Sequence, residues 1–152
     1  MKLQISENIL NRIHAHGENV YPEEGAGFLL GWDDGVSRQV VDIIPLANAS
    51  ENTARHNRYL ITPQDMLEGE KEAIRRELDI VGVFHSHPNH PNRPSEFDRE
   101  WAMPWFSYVI TSVDEGQAVG SRSWRLADNR EKFIEEEIIL ENVQFKYEIR
   151  NP

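Results

Sequence analysis

DIVGVFHSHPNHPNRPSEFD, residues 79–98, decides how this chain folds. Its first half, Asp79–Pro88, is an apolar run rich in branched side chains and too short for a helix, so it reads as a core strand. Successive strand side chains point to opposite faces, which puts His85 and His87 on one face, about 6.5–7 Å apart along the backbone. Two imidazoles so placed can converge on a single ion. Pro88, Pro91 and Pro94 then stiffen a loop, and Ser95 followed by Asp98 fits the S-x-x-D capping box that opens a helix. Asp98, at the end of that loop, can supply a third ligand, since zinc takes histidine nitrogen and carboxylate oxygen at about 2.0–2.2 Å. Three protein ligands leave a fourth position open for a water whose pKa falls towards 7, the catalytic rather than the structural arrangement.

Each of these residues also has a plainer reading. A lone strand histidine is more often a satisfied core or rim residue than a ligand, and Ser95 with Asp98 caps a helix whether or not a metal is near. The two roles coexist, because capping fixes the carboxylate. His90, among Asn and Pro in the loop, competes as third ligand but reads as solvent-facing. His14, His16 and His56 have no patterned partner and default to the surface.

Upstream of the motif, Ser6 has the chemistry of an N-cap, with Ile9, Leu10 and Ile13 on one helical face until Gly17 weakens it and Pro22 ends it. GAGFLLGWDDG (25–35) reads as a buried strand closed by an Asp34-Gly35 turn, and VSRQVVDIIPLAN (36–48) as its partner in a hairpin. RYLITP (58–63) reads as a further short strand. Thr62, Pro63 and Asp65 open a helix whose apolar stripe is Leu67, Ile74 and Leu78, an amphipathic helix lying on the surface. Downstream, a helix runs from Ser95 to near Pro104, FSYVITSV (106–113) and AVGSRSWRLAD (118–128) are strands, and KFIEEEIIL (132–140) fits either a strand or a helix. Strands interleaved with two or three helices indicate an α/β (α+β) domain, a central and mostly buried sheet flanked by helices.

The chain has 152 residues, of which 26 are acidic and 16 basic, for a net charge of −10. That length suits one domain, taken here as residues 1–152 with a motif-bearing core over about 6–125 and a C-terminal extension over about 126–152. The acidic balance argues against a nucleic-acid partner, which needs clustered Lys and Arg on the phosphates. Cysteine is absent, which excludes disulfides, thiol nucleophiles and Cys-based zinc sites together. Any metal must rest on His, Asp or Glu. The polar N-terminus lacks a secretory pattern and no window approaches the roughly 18 apolar residues of a membrane span, so a cytoplasmic location and no membrane are expected.

The run His85, His87, Pro88, then Ser95 and Asp98, resembles the H-x-H-P…S-x-x-D signature of the JAMM (MPN+) metalloprotease family. The family also carries an upstream glutamate in a P-x-E context before a small and apolar run ending in Gly. PEEGAGFLLG (22–31) supplies it, with Glu24 the aligned residue and Glu23 its neighbour. Within the family the chain looks most like the small prokaryotic members linked with ubiquitin-like sulfur carriers, on GVFHSHPNHPNRPSEFDREWA and YVITS. Those relatives often have Cys where Gly25 and Ala26 stand here, at positions with no catalytic role.

The resemblance implies one zinc per chain held by His85, His87 and Asp98, with a catalytic water as fourth ligand and a cytidine-deaminase-like layering of sheet and helices. It implies that Glu24, on the first strand and off the metal, relays the proton from water to the leaving amine. Ser95 then donates a hydrogen bond to the oxyanion. The expected reaction is hydrolysis of the amide bond after the C-terminal Gly-Gly of a ubiquitin-like or sulfur-carrier protein, with one of Arg55, Arg58 or Arg93 on the substrate tail or a product carboxylate. Insertions that select particular ubiquitin chains have no room. A non-catalytic scaffold of the same fold is the alternative from another class, and a DNA-repair-associated relative a second, but all five signature residues are present and no basic surface is. Other zinc hydrolase classes fail directly, since no H-E-x-x-H occurs and the deaminase pattern needs Cys.

Overall fold

In the computed structural model, which describes residues 1–46 and 59–141, the elements follow one another as β1 (Lys2–Ile5), α1 (Glu7–Val20), β2 (Ala26–Asp33), β3 (Arg38–Leu46), α2 (Pro63–Arg75), β4 (Asp79–Pro88), α3 (Glu96–Trp101), β5 (Ser107–Asp114), β6 (Gln117–Leu126) and β7 (Phe133–Leu140). The strand order is β1-β3-β2-β4-β5-β6-β7, and β7 returns to pair with β1, Glu137 to Leu140 against Lys2 to Ile5. The sheet is mixed: β4 runs antiparallel to β2 and parallel to β5. Held on both edges, β4 sits inside the sheet, which is why its sequence is a continuous apolar run rather than an alternation. The result is the expected α+β fold with few helices.

Side chains of β2 feed both faces of the sheet. Phe28 and Leu30 join one cluster with Val83, Tyr108 and Ala73 of α2, while Leu29 joins another with Phe84, Val109 and Ile9 and Ile13 of α1. Each large apolar side chain so buried contributes about 1.5–3 kcal/mol. His85 and His87 follow Val83 at alternate positions of β4, so they leave the sheet on the face of the first cluster.

Local chemistry set the helix starts as read. Ser6 caps α1 by accepting from the Ile9 amide, and Thr62 with Asp65, and Ser95 with Asp98, form complete capping boxes. The hairpin of β2 and β3 is present in antiparallel register. Of residues 132–140, open between strand and helix, 133–140 form β7 between β6 and β1.

Four expectations are corrected. Residues 59–62 of RYLITP join no strand, because Tyr59 is buried against the site instead of in a ladder and Thr62 caps α2. Leu67 and Ile74 are exposed, and α2 packs through Gly69 and Ala73. A Cβ on Gly69 would lie 2.6 Å from the Phe28 ring, so close approach of the backbone, not a leucine stripe, seats this helix. Gly17 does not weaken α1, which continues to Val20 with Gly17 buried and its Cα close under Ser86 and Val113. His14 and His16 are half-buried rather than on the surface: His14 Nε2 meets Ser121 Oγ at 2.9 Å, and His16 packs edge-on against Phe84. Strand β1 is an addition that the sequence reading lacked. Among the described residues, no helix is long and apolar enough to cross a membrane.

Candidate active site

Register brings the site together. Ala26 of β2 pairs with His85 of β4, and the pairing runs one step past the strand end. The Gly25 amide donates to Ser86 Oγ at 2.9 Å, and the Ser86 amide donates to the Gly25 carbonyl at 3.0 Å. One further step sets Glu24 opposite His87. Directly opposed residues of an antiparallel pair share a face, so the Glu24 carboxylate, His85 and His87 leave the sheet together. Glu24 thus stands just before β2, not on the first strand of the chain as expected. Glu24, His85 and His87 each present a donor atom within 4.8 Å of the other two, a group able to hold a metal ion.

The Pro-stiffened loop brings Asp98 back over the same face. Its Oδ1 lies 3.6 Å from His85 Nε2 and its Oδ2 3.2 Å from His87 Nε2. Glu24 Oε1 approaches from the other side, 3.8 Å from His85 Nδ1 and 3.9 Å from His87 Nε2. The capping box fixes Asp98, since the Ser95 amide donates to Oδ2 at 2.7 Å and the Asp98 amide donates to Ser95 Oγ at 3.1 Å. Helix start and site geometry are one arrangement. All four side chains are buried, His85 to 1% exposure, yet both ring nitrogens of His85 lack a hydrogen-bond partner. A buried polar atom without a partner costs about 1–3 kcal/mol, so this pair of nitrogens asks for a ligand. Two imidazoles with carboxylates on either side form the nitrogen-and-oxygen donor set that suits zinc.

The protonation states follow from these contacts. Burial opposes charge on Asp98, but the neighbouring His85, the hydrogen bond from His87 and the Ser95 amide outweigh it and hold the carboxyl well below the usual range. Burial likewise disfavours charged His87. Its contacts to Asp98 and to the Pro91 carbonyl, 2.8 Å from Nδ1, prevail, so its pKa is raised. With Nδ1 donating to Pro91, Nε2 is the atom left for a metal, and an ion there takes the place of a proton.

Sequence reasoning missed Tyr59 and Ser86. Tyr59 stacks on His85 with ring centroids 4.4 Å apart, and burial, with Asp98 and Glu24 nearby, pushes its phenol well up. Only an aromatic in a stretch read as a short strand marked it. Ser86 sat visibly between the two histidines, but its role needs the pairing partner Gly25. Arg55, Arg58 and His56 lie outside the described residues.

Two cavities adjoin the group. One, of about 420 Å³, is lined by Glu24, His87, Arg93, Ser95 and Phe97 with the loop prolines and His90. His90 is exposed and is not part of the group able to hold a metal. The other, of about 300 Å³, is apolar and includes Tyr59, Met66, Phe97, Trp101 and Trp105. Trp101, Met103 and Trp105 are exposed there.

The family model described as prokaryotic homologs of the JAB domain matches residues 6–127. A Thermus thermophilus protein, a probable TtuB-protein conjugate cleaving protease, is 30% identical over 132 residues, which is 85% of this chain and 79% of that protein. A desampylase of Pyrococcus furiosus is 32% identical over 83 residues, 55% of this chain and 56% of its own length. The solution structure of a Desulfitobacterium hafniense protein matches with a TM-score of 0.79 at 30% identity, over 91% of this chain and 92% of that one. A JAB1/MPN domain protein of Archaeoglobus fulgidus, at 18% identity, shares the fold with a TM-score of 0.56 over 91% of this chain and 98% of its own.

Proposed function

This chain belongs to the family of prokaryotic homologs of the JAB domain, and from that premise we propose that it is a zinc-dependent peptidase or isopeptidase. Its substrate is the amide bond after the C-terminal Gly-Gly of a ubiquitin-like or sulfur-carrier protein. The observation that carries the reading is the buried His85, whose two unpartnered nitrogens face a carboxylate on each side. The name of the Thermus thermophilus relative, a probable TtuB-protein conjugate cleaving protease, supports the substrate class. The cytidine-deaminase-like layering of sheet and helices belongs to the same proposal.

His85, His87 and Asp98 hold the zinc, which when bound supplies a Lewis acid and lowers the pKa of water. Of the two site carboxylates, Glu24 lines the larger cavity with His87 and Ser95, where substrate and water enter, and Asp98 does not. Glu24 is therefore the proton carrier: its carboxylate takes a proton from water as the carbonyl is attacked and returns it to the leaving amine. Ser95 Oγ accepts from the Asp98 amide, which leaves its own O–H free to donate to the developing oxyanion, a contact worth about 3 kcal/mol in other hydrolases. An extended Gly-Gly tail can enter as an added strand, with no side chain to clash near the cut. The exposed Trp101, Met103 and Trp105 give the body of a protein partner an apolar surface beside the site.

The test is incubation of the purified protein with a carrier conjugate, read by mass spectrometry. Free carrier ending in Gly-Gly should appear, vanish with a chelator, return with zinc and fail to form with Glu24→Gln. An inactive wild type with zinc bound, or an active Glu24→Gln, overturns the reading.

A further inference from the structure

We propose that Arg93 receives a carboxylate carried by the leaving group, so that the preferred leaving group is an amino acid or peptide whose free carboxylate lies close to the released amine. This rests on the hydrolase reading above and concerns the side of the bond that the carrier tail does not occupy.

Arg93 lines the same cavity as Glu24, His87 and Ser95. It stands two residues before Ser95, so it belongs to the wall where bond cleavage takes place. In a chain with ten more acids than bases (26 − 16), an arginine normally finds a carboxylate. Every other described arginine is engaged, from Arg12 on Asp42 to Arg130, whose guanidinium donates to the Ala102 and Arg99 carbonyls. Among the described arginines, Arg93 alone has no ion pair or hydrogen bond. Glu96, the nearest acid on that wall in sequence, is already held by Arg99 at 2.7 Å, and its charge is thereby committed.

The backbone that presents Arg93 is pinned on both sides. Ser112 Oγ donates to the His90 carbonyl at 2.8 Å, Trp124 Nε1 donates to the Asn92 carbonyl at 3.0 Å, and the capping box holds Ser95. Pro91 and Pro94 restrict the chain between these anchors. The backbone of such a loop has little freedom left to lose on binding, and the planar fork of a guanidinium matches a carboxylate in a bidentate pair. One arginine in an acidic protein does not suit a phosphate polymer. A single carboxylate beside the scissile bond fits it. In the reaction the amide C–N bond breaks, water oxygen joins the carbonyl carbon, and a proton passes to the amine, which departs with its carboxylate held by Arg93.

The experiment gives the zinc-loaded protein two substrates: a ubiquitin-like carrier ending in Gly-Gly-Ala with a free carboxylate, and the same chain ending in Gly-Gly-alaninamide. Wild type should cut the acid with a kcat/KM about ten- to a hundredfold above the amide, the range of a charged hydrogen bond. Arg93→Met should bring that ratio close to one. The same ratio should appear in Kd measured calorimetrically with Glu24→Gln, and should vanish in Glu24→Gln/Arg93→Met. Equal rates on the two substrates in wild type, or a ratio that survives Arg93→Met, overturns the proposal. So does relief of inhibition by free Gly-Gly carrier in Arg93→Met with the ratio intact, which would assign Arg93 to the carrier's own product carboxylate. If wild type cuts neither substrate nor any other carrier conjugate, the hydrolase reading itself falls.

Discussion

Replacing Ser86 by Ala tests the register that aims Glu24. Ser86 Oγ accepts the Gly25 amide at 2.9 Å in a buried setting, one residue from Glu24. In Ser86→Ala that amide keeps no acceptor, and a buried unsatisfied donor costs about 1–3 kcal/mol. At about 2–4 °C per kcal/mol for a chain of this size, Tm should fall by roughly 2–12 °C. The Glu24 carboxylate should also lose its aim. Because a 1 Å misplacement can cost on the order of a hundredfold in rate, kcat should drop far more than the small stability loss explains, with zinc still bound. Calorimetry, metal analysis and conjugate cleavage on one preparation measure all three. A Tm within about 1 °C of wild type, or full kcat at a lowered Tm, refutes the reasoning that the Gly25–Ser86 bond positions Glu24.

Ser95→Ala should slow kcat by about a hundredfold and, because Ser95 caps α3, lower stability by about 1 kcal/mol; Ser95→Thr, which keeps a hydroxyl, should recover the cap but only part of the rate. Burial raises the Tyr108 phenol to about 12, above the ordinary value near 10. A folded pKa above the unfolded one means that this stability is complete below pH 10 and is lost as pH rises through the interval towards 12, at up to about 1.4 kcal/mol per unit. Thermal melts should therefore fall more steeply above pH 10 in wild type than in Tyr108→Phe, and parallel curves would contradict the burial argument.

The parts of the fold written in local chemistry were legible from sequence. Two capping boxes, the Asp34-Gly35 hairpin and the branched run before His85 each need only near neighbours to take shape. The site was legible for the same reason, since His85 and His87 are fixed by strand alternation and Asp98 by its cap. What stayed hidden depends on distant partners. KFIEEEIIL becomes β7 only because β6 and β1 lie on either side, and its buried Glu136 is tolerated because Ser107 and Ser123 donate to it at 2.7 and 2.9 Å. The four residues of β1 carry too little pattern to declare a strand alone. Helix α2 buries its small residues, the reverse of what hydrophobic periodicity selects, because Phe28 fills the space that a larger side chain would take. Tyr59 is positioned by the ring of His85, which no spacing rule could supply.

Zinc content of three proteins, measured by mass spectrometry of the metal after dialysis, tests the division of labour at the centre of this account. Wild type and Glu24→Gln should each carry one zinc per chain, and Asp98→Ala close to none. Zinc retained by Asp98→Ala but lost from Glu24→Gln would make Glu24 the third ligand and contradict its assignment as the proton carrier.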